Sequence, residues 1–128
     1  MLPAGAVVPL HLHTRYAERF WVASGSITAW AGQDSLTLGP GDYYCVPPNV
    51  PHTFQSGPDG CRAIVISSPA SFAELIARTG TPAQLAGPET EFDIDRFMKV
   101  TIELGDVLLG PPGTKPADVR PGDGASAG

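Results

Sequence analysis

At 128 residues the chain has room for one domain with a single sizeable core. A net charge of −5, with only eight scattered Lys and Arg, excludes a surface built to follow phosphates, so nucleic acid is not an expected partner. No stretch nears the roughly 20 apolar residues that span a bilayer, and the amino end lacks a basic start followed by an apolar run, so a cytoplasmic protein without a membrane partner is expected.

In chain order, short segments rich in Val, Ile, Thr, Tyr, Phe and Trp recur up to about residue 67. They are Ala6 to His13, Arg19 to Ser24, Ser26 to Ala31, Ser35 to Leu38, Tyr43 to Val46, His52 to Gln55, and Cys61 to Ser67. Turn signals separate them: Ser24-Gly25, Gly32-Gln33-Asp34, Gly39-Pro40-Gly41-Asp42, Pro47-Pro48-Asn49 and Gly57-Pro58-Asp59-Gly60. Short strands at this interval predict an all-β antiparallel barrel or jelly roll. Cys45 and Cys61 fall within strands, with no zinc-knuckle or redox spacing. Buried free thiols are the expectation, a disulfide the alternative.

After Pro69 the period becomes helical. Phe72, Leu75 and Ile76 share a stripe that ends near Gly80. A second helix is predicted from about Ile94 to Leu104, capped by Asp93 and closed by Gly105, with Ile94, Phe97, Met98 and Ile102 as its apolar face. Val107-Leu108-Leu109 is expected to pack on the body. One domain over 1–110, with its helices starting near 70, is therefore followed by a Gly-, Pro- and Ala-rich tail, 111–128, expected to be flexible or loosely docked.

The chain's three histidines are His11, His13 and His52, with Glu18 between the first two and the last. A strand turns alternate side chains to one face, so the imidazoles of His11 and His13 can converge on one ion. Taken alone, the pair equally fits hydrogen-bonded histidines lining a strand. Glu18 alone fits a surface ion pair with Arg15 or Arg19.

The residues read Gly5-x5-His11-x-His13-x4-Glu18-x6-Gly25, then Gly41-x5-Pro47-x-Asn49-x2-His52. This resembles the two motifs of the cupin superfamily over roughly residues 5 to 67. Two positions depart: Asn49 stands where the family has Gly, and Ser56 where it has Asn. Asn tolerates the left-handed turn geometry that Gly supplies. The carboxyl-terminal helical appendage ending in Leu-Leu-Gly-Pro-Pro-Gly-Thr looks like that of single-domain, quercetin 2,3-dioxygenase-like cupins.

The resemblance implies a cupin-type β-barrel with a helical appendage and one divalent metal on His11, His13, Glu18 and His52. Three imidazoles and a carboxylate suit Fe, Mn, Co, Ni, Cu or Zn. In the dioxygenases that the chain resembles, a glutamate at the position of Glu18 has been given both ligand and catalytic base roles. Burial would raise its pKa toward the working pH. Phe20, Val22 and Phe54 share strand parity with the ligands and are candidates for an apolar substrate pocket, with Tyr44 and Val46 beside them. Tyr16 and Trp21 are placed at the rim or a partner surface. Plain core packing is the alternative for each aromatic.

The expected activity is dioxygenase-like oxidation of a small hydroxylated, partly aromatic substrate. A metal-dependent isomerase, lyase or cyclase of secondary metabolism is the alternative, as is a cupin that binds a small ligand without turnover. Family members usually carry one or two strands before the first motif, yet here it begins at Gly5. An exposed sheet edge at that point, and hence a homodimer, is the further expectation.

Overall fold

Two strands carry the architecture, because each is long enough to serve two sections of sheet. The computed structural model describes residues 1–91 and 93–119. Strand β1 (Pro9–His13) is followed by β2 (Ala17–Ala31), β3 (Asp34–Leu38), β4 (Tyr43–Val46) and β5 (His52–Ser68). Helices α1 (Ser71–Thr79) and α2 (Ile94–Glu103) come next, then β6 (Asp106–Pro112) and a 3-10 turn over Pro116–Asp118. The hydrogen-bonded order is β3-β2-β5-β1-β6, with β4 on β2, and every pairing is antiparallel. The all-β body is thus as the sequence predicts.

The first half of β2 pairs with β4 and the far half of β5, whereas its second half pairs with β3 and the near half of β5. Breaks predicted at Ser24-Gly25 and Gly57 to Gly60 are instead irregularities inside two long strands. The register steps from Gly25↔Cys61 to Ile27↔Ser56, so 57–60 stand out opposite Ser26. Pro58 is tolerated there because it owes β2 no hydrogen bond. Gly25 lies at φ 73°, and a Cβ on it would sit 2.1 Å from the Gly60 carbonyl oxygen. Only glycine lets the backbones pass this closely.

Alternate residues of these strands fill one core: Phe20, Val22, Ile27, Ala29, Ala31, Leu38, Val46, Phe54 and Cys61. Cys45 and Cys61 are both free thiols, Cys61 buried and Cys45 half-buried. The opposite face of β2, β4 and β5 leaves Trp21, Tyr43, Ile64 and Ile66 exposed.

The expected open edge beside the first motif is covered. Backbone of Leu2, Gly5, Ala6 and Val8 bonds to Cys61, Gly57, Ser56 and Phe54 along β5, and β1 is flanked by β6 on its other side. Val107-Leu108-Leu109 packs on the body as part of that strand. Residues 111–119, assigned to the flexible tail, end β6 and form the 3-10 turn, where Lys115 Nζ lies 4.6 Å over the Trp30 ring. The rest of that tail, 120–128, lies outside the described residues.

Both helices end as the sequence predicts. The Asp93 side chain accepts from the Arg96 N–H, and the Gly80 N–H closes α1 on the Ile76 carbonyl. The apolar face of α2 differs from the predicted one. Val100, Thr101 and Leu104 are buried, and Phe97 packs on the small cluster they form with Leu75, whereas Ile94 and Ile102 are exposed. No helix among the described residues is long and apolar enough to cross a membrane.

Candidate metal centre

Three strands bring four side chains to one point. His11 and His13 share a face of β1, Glu18 opens β2, and His52 opens β5 directly opposite His11 in the ladder. Asn49, at φ 64°, turns the chain just before His52, and its N–H donates to the His13 carbonyl at 2.7 Å. The left-handed geometry anticipated for Asn49 is therefore realised. One ligand-capable atom from each of His11, His13, Glu18 and His52 lies within 4.8 Å of the others. His11 is half-buried and the other three are buried.

Each imidazole is oriented through its Nδ1. In His11 this nitrogen donates to the Pro9 carbonyl at 2.8 Å, and in His52 to the Val50 carbonyl at 2.8 Å. Both rings therefore keep a bare Nε2 pointing inward. His13 is held differently, with Nδ1 at 2.9 Å from Asp106 Oδ1 and Nε2 at 3.0 Å from Glu18 Oε2.

Charge follows from these contacts. Burial would lower the pKa of His13, but the hydrogen bonds to Asp106 and Glu18 outweigh it and raise the group to about 9. His11 is pushed down to about 4, first by burial and then by the neighbouring His52. For Glu18, burial would raise the pKa. The hydrogen bond from His13 and the nearness of His52 outweigh it and hold the carboxyl at about 2. The pKa elevation expected for Glu18 is thus reversed, because two imidazoles face it.

The donor set fits a divalent transition metal. His52 is fully buried, yet its Nε2 has no hydrogen-bond partner. Glu18 Oε2 stands 3.5 Å away, near enough to interact by charge and too far to bond. Such an orphaned buried nitrogen costs roughly 1–3 kcal/mol, a penalty that coordination removes. Three imidazole nitrogens and one carboxylate oxygen are also what borderline divalent ions prefer.

Phe54 lies beside the cluster, 5.3 Å from the His52 ring, and Phe20 packs edge to face on Phe54 with centroids 4.6 Å apart. Val22 is buried in the same core. Tyr44 is half-buried against it, with its hydroxyl reaching Asp34 at 3.4 Å. Trp21 is exposed on the outer sheet face, 5.3 Å from Tyr43. Tyr16, expected at the rim, is instead 1% exposed and stacked on His13 with centroids 4.2 Å apart. Ser56, at the second departure from the motif, is buried and serves the backbone, with Oγ accepting from the Ala6 N–H at 2.8 Å.

The residue missed from the sequence is Asp106. It is buried at the start of β6 and binds His13 with one oxygen and the Tyr16 hydroxyl, at 3.1 Å, with the other. A lone acid between a helix-closing Gly105 and the apolar run from Val107 was the available signal.

A family model described as a cupin domain matches residues 1–67. Quercetin 2,3-dioxygenase of Aspergillus japonicus is 35% identical over 78 residues, covering 57% of this chain and 22% of that enzyme. Quercetin 2,3-dioxygenase of Bacillus subtilis (strain 168) is 26% identical over 80 residues, covering 62% and 24%. The chain thus spans less than a quarter of the length of these relatives. Among solved structures, KdgF from Halomonas sp. matches at 26% identity with a TM-score of 0.46, over 51% of this chain and 60% of that one. The polyketide cyclase RemF from Streptomyces resistomycificus matches at 27% with a TM-score of 0.45, over 50% and 46%.

Proposed function

The chain belongs to the cupin domain family, and from that premise we propose that it is a metal-dependent oxidoreductase of the dioxygenase type, acting on a small hydroxylated, partly aromatic substrate. The observation that carries this reading is the convergence of His11, His13, Glu18 and His52 around one point inside the barrel. The 78-residue likeness to a quercetin 2,3-dioxygenase supports the choice of reaction class.

When bound there, a divalent transition metal supplies Lewis acidity and redox capacity. The protein's own part is positional and acid–base. His11 and His52 present Nε2 inward because backbone carbonyls hold their Nδ1 protons. Phe54, backed by Phe20, puts an apolar ring against His52. Glu18 accepts the proton of a substrate hydroxyl on its carboxylate. In the metal-free chain the hydrogen bond from His13 holds that carboxylate at about 2 and makes it a weak base; a metal on His13 Nε2 would take the place of that N–H and end the hydrogen bond.

The test is metal analysis, reloading with Fe, Mn, Co, Ni or Cu, and oxygen-uptake measurements with a panel of flavonols and other enols. Metal-dependent uptake that falls about 100-fold or more in Glu18→Gln is expected. Turnover under strict anaerobiosis, or ligand binding without turnover, overturns the oxidoreductase assignment.

A further inference from the structure

We propose that Asp106 is a positioning residue for the metal centre, which fixes the tautomer of His13 and makes it the most strongly donating of the three imidazoles. This rests on the metal reading above and adds to it a residue outside the matched family region, 1–67.

The three histidines differ in what holds them. His11 and His52 are each held by a neutral carbonyl two residues back on their own chain. His13 is held by a carboxylate 93 residues away, at 2.9 Å, with both side chains buried. A carboxylate accepts the Nδ1 proton more strongly than a carbonyl does. It therefore keeps the proton on Nδ1, leaves Nε2 as the ligand atom and pushes electron density toward it.

Asp106 is in turn fixed. The Tyr16 hydroxyl donates to its second oxygen at 3.1 Å, and the Tyr16 ring lies almost parallel to His13, at 26°. His13 is thereby clamped in two directions, in its plane by Asp106 and across its face by Tyr16. Asp106 opens β6, which pairs with β1 in a register that sets His13 opposite Asp106. The carboxyl-terminal segment thus delivers a carboxylate to a ligand on the barrel's first strand.

The experiment measures Zn and Co affinity of the full chain by competition with a chromophoric chelator, for the wild type, Asp106→Asn and Tyr16→Phe. Nitrogen-15 NMR of the Zn-loaded protein reads the His13 tautomer. Asp106→Asn should bind about 10- to 100-fold more weakly. Tyr16→Phe, which keeps both partners in place, should lose a few-fold, so the proposal stays testable if Asp106→Asn fails to fold. The wild-type spectrum should show His13 protonated at Nδ1 and bound through Nε2.

A purely structural Asp106 would give variants that melt lower yet bind metal as tightly as the wild type, and that result overturns the proposal alone. A wild type whose metal binding is absent, or survives His52→Ala unchanged, overturns the metal reading and this inference together.

Discussion

In the barrel, side chains from β2, β3, β4 and β5 interlock in one continuous core. Beyond Ser68 the described residues form only a small cluster of Leu75, Val100 and Leu104, with Phe72 and Phe97 against it, and leave Ile76, Ile94 and Ile102 exposed. Packing alone would make the second region dispensable. The His/Glu cluster says otherwise, since His11 and His52 are oriented from within the barrel but His13 is oriented from β6. The less densely packed region therefore carries a specific duty, holding one strand and one carboxylate in register.

The largest expected effect breaks that arrangement at its support. Leu104→Ala removes a buried side chain two residues before Asp106 and should cost about 2–4 kcal/mol. Because β6 pairs with β1 from His13 to Pro9, unfolding should remain a single transition, and fluorescence and circular dichroism melts should coincide. Two separate transitions, with the barrel melting as in the wild type, would show that the regions are independent.

A smaller effect sharpens the link through pH. In the metal-free protein His13 titrates near 9, above its unfolded value of 6.5, so its stabilisation is complete below about 6.5 and is lost as pH rises through 9. His11 has the opposite sign. Its pKa of about 4 means that stability falls as pH drops from 6.5 toward 4. Glu18, held at about 2, adds a further loss as pH falls from its ordinary 4.5 toward 2. Metal-free stability should therefore peak near pH 6.5 and decline by on the order of 1–2 kcal/mol by pH 9. Melting temperatures in chelator across that range provide the check, and a flat profile from 6 to 9 would show that His13 is not doubly protonated with one N–H donated to Asp106 and the other to Glu18.

The same comparison explains what the sequence made legible. Strand parity puts His11 and His13 on one face, and the resemblance to the two cupin motifs adds Glu18 and His52, so the four clustered side chains are legible within residues 11–52. The continuity of β2 and β5 was hidden because Gly25 and Gly60, at φ 73° and 76°, look like chain reversals but are bends within a ladder. Asp106 was hidden for another reason. Its partner is 93 residues distant, and no local periodicity encodes a pairing between the first strand and the last.

Helix α2 provides the smallest effect and a direct test of which side of the appendage faces the barrel. Periodicity placed Ile94, Phe97, Met98 and Ile102 on the buried face, but the helix is turned so that Val100, Thr101 and Leu104 face inward beside Phe97. The rotation follows from the exit of the chain: Gly105 at φ 90° must deliver Asp106 to β6, which fixes the orientation of the last helical turn. Ile102 is 62% exposed, so Ile102→Ser should change stability by less than about 0.5 kcal/mol. A loss of about 2 kcal/mol or more on thermal melting would mean that Ile102 is covered in solution, and the inward face of α2 would have to be reassigned.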